Sequence, residues 1–167
     1  MIVLAIDPGP TVSAAVLFDT DEQRILATVR DENAIVRAWM RRDVRLVAAH
    51  LPVAFAIEMI ASYGMAVGAE TFETCVEIGR FIERWKTLED RDVRRVYRRE
   101  VKLHLCGTVR ATDSNIRHAI LDRFGPGRTK AVGTKANPGP LYGLSKDLWQ
   151  ALGVALVVGD GPGKHAS

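Results

Sequence analysis

Residues 2–19, Ile-Val-Leu-Ala-Ile-Asp-Pro-Gly-Pro-Thr-Val-Ser-Ala-Ala-Val-Leu-Phe-Asp, leave the chain little freedom at its start. Ile2 to Ile6 is an apolar run of strand length, Pro8-Gly9-Pro10 imposes a turn, and Thr11 to Phe18 is strand again. The two runs predict a hairpin that opens a sheet. Asp7 closes its first strand, where a carboxylate is costly to bury unpaired. Such an acid bonds its own turn backbone, as Asp before Pro-Gly often does, or it faces solvent, a donor or a cation. The hairpin alone leaves both readings open.

Gln23 to Arg30, with Ile25, Leu26 and Val29, predicts a third strand and completes an antiparallel meander. Asp31-Glu32-Asn33 then starts a helix with Ile35, Val36, Trp39 and Met40 on one face, and 46–51 continues helical to Pro52. Val53 to Ile60 is apolar but for Glu58, the pattern of an interior strand covered on both faces. A glutamate there is either a carboxylate delivered to the rim of a buried sheet or an ordinary surface acid at a strand end. Tyr63, in the following loop, is a hinge or base-stacking residue, or else packs on the next helix. Glu70 to Lys86 is the longest helical pattern, with Phe72, Val76, Gly79, Ile82 and Trp85 at spacings of three and four. Its Gly79 marks a close approach of another helix, in the same chain or across a dimer.

Asp92 to Tyr97 predicts a charged strand, 98–103 a short helix and 111–124 another, with Ile116, Ala119, Ile120 and Phe124 inward. Asp113 or Ser114 is its expected N-cap. Gly125 to Gly143 holds five Gly, three Pro and no acid. A loop of that length is expected to be mobile and to order on a polyanion, or to be an inert insert. The last helix, capped by Ser145, turns Leu148, Ala151, Leu152 and Ala155 inward. Asp147 lies in its first turn, where the helix dipole by itself favours an acid. The whole is one domain over 1–158, followed by a flexible tail over 159–167.

Composition narrows the class. The 47% hydrophobic and 26% charged content is that of an ordinary globular protein. No apolar stretch is long enough to span a membrane and no leader opens the chain, so a cytoplasmic protein is expected. Cys75 and Cys106 lack metal-ligand spacing and read as buried free thiols. The net charge is only +3, yet residues 91–130 carry 11 Lys+Arg against four Asp+Glu. A basic segment on a slightly acidic body suits a polyanion partner, nucleic acid most simply, or is a solvated cationic face.

The element order predicts an α/β sheet with helices packed on it, and its resemblance to the ribonuclease H-like arrangement implies a mixed sheet of three antiparallel strands followed by parallel strands, with helices on both faces. In that arrangement the ends of strands one and four and the start of the last helix converge. Asp7, Glu58 and Asp147 occupy those three places. Carboxylates brought within reach of one another repel unless a cation sits between them. Hard oxygen ligands suit Mg²⁺, and two such ions can activate a water and stabilise the leaving oxygen of a phosphodiester.

The motifs carry a closer resemblance. Ile6-Asp7-Pro-Gly-Pro-Thr11 resembles the I-D-P-G-x-T start of RuvC-like Holliday junction resolvases. Ala56-Ile-Glu58 with Tyr63, and then Glu77-Ile-Gly-Arg80, is similar to that family's glutamate strand and following helix. Val101-Lys102 with Gly107 resembles its V-K-x(n)-G stretch, and Asp147-Leu-Trp-Gln-Ala-Leu-Gly-Val-Ala-Leu156 its D-x-x-D-A-L-x-x-A segment. Each motif is weak alone, but the ordered set spans residues 1–157. The resemblance implies a homodimeric, metal-dependent endonuclease that cuts four-way DNA junctions symmetrically, leaving a 5′-phosphate. It implies two Mg²⁺ per site, with Mn²⁺ as a substitute, and no organic cofactor.

On this resemblance Asp7, Glu58 and Asp147 hold the ions and Lys102 sits near the scissile phosphate. Tyr63, Arg94, Arg95, Arg98, Arg99, Arg110, Arg117, Arg128, Lys130 and Lys135 supply the DNA surface. Two departures stand out. Gln150 occupies the place of a second helix carboxylate, and can offer a carbonyl oxygen but no charge. Asp113 stands where the family often has a second lysine; it either supplies the missing carboxylate or only caps its helix. Both departures suggest a diverged, phage-type branch. The rival reading is a catalytically weak branched-DNA- or RNA-binding module on the same fold. Asp7-Pro-Gly-Pro-Thr11 also resembles the phosphate loop of sugar-kinase and actin-like ATPases, which place nucleotide between two such domains where 167 residues supply one.

Overall fold

In a computed structural model of the chain, residues 1–47, 52–62, 64–89, 91–125 and 127–161 are described. The elements run β1 (Ile2–Asp7), β2 (Val12–Asp19), β3 (Arg24–Glu32), α1 (Asn33–Val47), β4 (Val53–Met59), α2 (Ala69–Glu89), β5 (Val93–Tyr97), α3 (Arg98–Cys106), α4 (Asp113–Phe124), α5 (Arg128–Ala131) and α6 (Leu148–Asp160). Five strands form one sheet in the order β3-β2-β1-β4-β5. The first three pair antiparallel, and β4 and β5 join β1 in parallel. This is the expected mixed sheet of a ribonuclease H-like α/β fold.

Alternation along the strands sorts the core into two layers. Ile2, Leu4 and Ile6 of β1 and Val53, Phe55 and Ile57 of β4 pack with Val36, Trp39 and Met40 of α1 and with Ile78, Phe81 and Trp85 of α2. Val3 and Ala5 of β1, Ala14 of β2 and Ala56 of β4 face the other way, beneath α6, α3 and α4. Small side chains at 5, 14 and 56 let α6 lie close to the sheet. The same economy recurs at Gly153 of α6, where an added Cβ would stand 3.0 Å from Val101 of α3. No helix of the described residues is long and apolar enough to cross a membrane.

Several expectations are corrected. β3 runs through Asp31 and Glu32, so α1 begins at Asn33, and Ile35 is exposed rather than inward. The predicted helix over 46–51 is observed to Val47; residues 48–51 lie outside the described residues. On α2 the buried stripe is Thr74, Ile78, Phe81 and Trp85, whereas Phe72 and Val76 are 62% and 50% exposed. The helix carries two apolar stripes, and periodicity cannot say which one meets the sheet. Glu77 is tolerated in the buried stripe because Arg37 and Arg80 pair its two oxygens. Nothing among the described residues lies within 4 Å of a Cβ built on Gly79, so none of them makes the expected close approach there. Cys75 is exposed on this same helix and Cys106 is half-buried, against the expectation of two buried thiols.

The cap of α4 is Thr112, not Asp113 or Ser114. The Thr112 hydroxyl accepts from Asn115 N–H at 3.3 Å, and the Asn115 side chain accepts from Thr112 N–H at 2.8 Å. Ser145 contributes its carbonyl to Leu148 N–H rather than a side-chain cap. Gly125 to Gly143, expected to be structureless, contains α5 and a bridge between Gly133 and Pro138, and buries Ala131 and Leu141. Gly139 makes this possible, since a Cβ there would fall 2.5 Å from the Lys130 carbonyl oxygen. At Gly133 and Gly139 glycine serves close backbone packing rather than flexibility.

Helix α6 extends through Gly159 and Asp160, beyond the expected start of a flexible tail; 162–167 lie outside the described residues. Asp160 accepts two bonds of 2.6 Å from Arg123 of α4 and meets His104 Nε2 of α3 at 2.7 Å. Arg123 also donates to Gln23 Oε1 in the β2–β3 turn. Burial by itself would raise the Asp160 carboxyl, but the bonds and charges of Arg123 and His104 hold it below its ordinary 3.8. Four elements are thereby tied at the far end of α6.

Candidate active site

The alternation that buries Val3 and Ala5 beneath α6 puts Asp7 on the same face, and that which buries Ala56 there does the same for Glu58. β1 and β4 are parallel neighbours in register to Ile6 and Ile57, so the next residues, Asp7 and Glu58, leave the sheet side by side at its carboxyl edge. The turn after Asp7 is held from below. Gly9 N–H donates to Ser13 Oγ at 3.1 Å, Ser13 Oγ donates to Asn33 Oδ1 at 2.6 Å, and Asn33 Nδ2 donates back to the Gly9 carbonyl at 3.0 Å. Ser13 and Asn33 are buried. Only glycine fits at position 9, because a Cβ would stand 2.3 Å from the Val12 carbonyl oxygen.

Asp147 arrives from α6 at the N-cap position without capping its helix. Lys146 before it has φ +43°, a left-handed conformation costing a non-glycine residue roughly 1 kcal/mol. That turn delivers the Asp147 carboxylate to the rim instead of to the helix N–H groups. Burial, and then the charges of Glu58 and Asp147, push the Asp7 carboxyl up to about 8; Arg98 opposes this and Asp113 adds to it. Glu58 is likewise raised, by burial first, with Arg98 acting against it and Asp113 with it. The structure thus brings Asp7, Glu58, Asp147 and Asp113 within electrostatic reach. A cleft of about 240 Å³ opens between Asp7, Glu58 and Arg98, walled by Pro8, Met59, Ile60 and Ala61.

Two arginines enter this cluster. Arg98 donates to Asp113 Oδ1 at 2.5 Å and reaches Glu58 Oε2 at 3.5 Å. Arg30 Nε donates to Asp147 Oδ2 at 2.8 Å. Arg98 stood among the expected DNA-contacting residues; its place in the acid cluster was not foreseen, nor was Arg30 noticed at all. A signal existed for Arg30, which pairs with Ala14 across the β2–β3 ladder and so shares the α6 face of the sheet.

The oxygen donors fit a hard divalent cation: three carboxylates on converging elements, and Gln150, one helical turn beyond Asp147, whose buried Oε1 has no hydrogen-bond partner among the described residues. As the side chains stand, no three Asp, Glu, His or Cys of the described residues form a ready cluster for one ion. Arg30 pairs with Asp147, and Arg98 with Glu58 and Asp113.

The other expected residues scatter more widely. Lys102 is half-buried one turn after Arg98 on α3. Arg94 pairs with Glu100 at 2.5 Å, while Arg95, Arg99, Arg110, Arg128, Lys130 and Lys135 are exposed. Arg117 stacks its guanidinium 4.8 Å over the Trp149 ring at the start of α6. Tyr63 lies outside the described residues.

Among solved structures, the chain is similar to Thermus thermophilus RuvC at 19% identity, with a TM-score of 0.65 over 94% of this chain and 92% of that one. Thermus thermophilus RuvC in complex with Holliday junction substrate matches over the same shares, at 16% identity and a TM-score of 0.65. A complex of fowlpox virus resolvase with substrate Holliday junction DNA matches at 12% identity and 0.51, over 95% and 98% of the two chains. No family model and no curated protein matches the chain. At such identities the likeness is one of fold.

Proposed function

We propose that this chain is a divalent-metal-dependent endonuclease that resolves four-way and other branched DNA junctions as a homodimer. The observation that carries the reading is the half-buried Asp7 carboxyl at the sheet edge, beside Glu58 and within electrostatic reach of Asp147 and Asp113. A carboxyl pushed up by burial and by neighbouring acids costs stability unless a cation relieves it, and that expense is usually a mark of function. The fold likeness to resolvases solved with Holliday junction DNA supports branched DNA as the substrate class. The exposed basic residues from Arg95 to Lys135 offer a surface for phosphates.

In this reading Asp7, Glu58 and Asp147 hold Mg²⁺ or Mn²⁺, with Gln150 Oε1 or Asp113 completing the shell. Bound there, the ions supply Lewis acidity toward a phosphodiester at neutral pH. The chain's own residues do the rest. The Gly9–Ser13–Asn33 bonds keep Asp7 at the cleft, Lys102 and the neighbouring arginines orient the phosphate, and α6 presents Asp147 from above. Asp147→Asn is expected to lower cleavage of a four-way junction by on the order of 10³-fold in Mg²⁺. Junction binding should survive or tighten, because the substitution removes a repelling charge and frees Arg30. Full cleavage by this variant would remove Asp147 from the site.

Symmetric incision requires two sites about a two-fold axis. Phe72 and Val76, exposed on α2 beside the open face at Gly79, support α2 as the pairing surface. Light scattering on the purified protein should give twice the chain mass, and Phe72→Glu should reduce it to the single-chain mass with the fold intact by circular dichroism. A single-chain mass for the unmodified protein counts against the dimer.

The alternative, a branched-nucleic-acid-binding module without catalysis, draws on the two arginines that pair with the site acids and on Gln150 in place of an acid. A gel assay of four-way junction against linear duplex, in Mg²⁺ and in chelator, separates the two. Metal-dependent nicking of the junction supports the nuclease; binding without nicking supports the module.

A further inference from the structure

The acid cluster has its own cations built in. Arg30 comes from the end of β3 and Arg98 from the start of α3, on opposite sides of β1 and β4. Between them they take up Asp147, Glu58 and Asp113. Their side chains are only 33% and 25% exposed, and Glu58 is 14% exposed. The Arg98–Glu58 pair is partly desolvated, so charge counts for more there than at Asp147 and Asp113, which are 44% and 68% exposed and solvent-screened. Leaving either arginine elsewhere would have been simple, since the 91–130 segment has basic residues in plenty and most of them are exposed.

We propose that Arg30 and Arg98 are tethered counter-cations, positioning residues that hold the acid cluster assembled without an ion and compete with a divalent cation for Asp147 and Glu58, so setting how tightly the site takes metal. This rests on the metal-dependent reading above. Coupling between two occupants of one set of carboxylates is reciprocal. Whatever the guanidinium groups contribute to the ion-free protein is withdrawn from ion affinity, because an entering cation must loosen or displace them and meets their positive charge. Arg98 has the larger effect, since it touches two acids and lines the cleft between Asp7 and Glu58.

The test is Mn²⁺ binding by titration calorimetry to the full chain, with thermal melting in chelator and in saturating Mn²⁺. Arg98→Gln should bind Mn²⁺ on the order of tenfold more tightly than the unmodified protein. It should also melt lower in chelator and gain more on adding Mn²⁺. Arg98→Lys, which returns the charge, should move all three readings back toward the original values. Arg30→Gln should act in the same direction by a smaller factor, and it serves as the measurement if Arg98→Gln does not fold. Unchanged or weaker Mn²⁺ binding in folded variants, beside clear binding by the unmodified protein, overturns the competition alone. Binding by the variants but not by the unmodified protein is its strongest form. No Mn²⁺ binding in any of them sinks the metal-dependent reading, and this inference with it.

Discussion

Asp7→Asn is expected to lower junction cleavage by on the order of 10³-fold or more and, at the same time, to make the metal-free protein more stable above neutral pH. The two effects have one cause. The Asp7 carboxyl titrates near 8 in the fold because of burial and the neighbouring Glu58 and Asp147, against 3.8 ordinarily. Between those values the folded chain retains a proton that the unfolded chain has released, so stability falls as pH rises through the window. Above it the ionised carboxylate is only partly offset by Arg98. Asparagine carries no charge to expel and should be worth about 2–4 kcal/mol at pH 8.5, after allowance for the shared titration of the cluster. For a chain of this size that is a rise of roughly 5–10 °C in melting temperature.

Melts of both proteins in chelator at pH 5 and pH 8.5 read this directly. The unmodified protein should lose stability between the two pH values relative to the variant, and Mn²⁺ should restore it in the unmodified protein only. A variant that keeps the original pH slope, or that cleaves at the original rate, would show that Asp7 is no more than a turn residue.

Trp85→Ala should cost about 3–5 kcal/mol, lowering the melting temperature by on the order of 10 °C. Trp85 is fully buried where α2 meets the sheet, its ring 5.2 Å from that of Phe55 on β4 at a tilt of 36°. Deleting it empties the centre of the layer formed with α1. Its indole N–H has no hydrogen-bond partner among the described residues, so Trp85→Phe should cost only about 1–1.5 kcal/mol, a loss of volume without a lost bond. Urea unfolding of the two variants provides the comparison. Equal costs would mean that the indole nitrogen is satisfied after all.

Much of the site was legible before any packing was known. Asp7 and Glu58 each end an apolar run, and the period of two in a strand carries them to the same face as Ala5 and Ala56. The inward residues of the last helix, Leu148, Ala151, Leu152 and Ala155, were all readable from its spacing and all are buried. Where local chemistry offered two solutions, sequence reasoning chose wrongly. Phe72 and Val76 make as good a helical stripe as Ile78, Phe81 and Trp85, yet only the second meets the sheet. Gly125 to Gly143 looked like flexible chain because glycine permits both freedom and close contact; in the fold Gly133 and Gly139 serve contact.

Local spacing determined the strands, most helices and the two acids at strand ends, because each depends on the repeat of a single element, while the mixed pairing of the sheet follows from the resemblance in element order. Tertiary structure alone decided which face of α2 is buried, and that Arg30 meets Asp147 across 117 residues while Arg98 spans Glu58 and Asp113. Those pairings depend on how separate elements come to rest against one another, and no periodicity within one element records it.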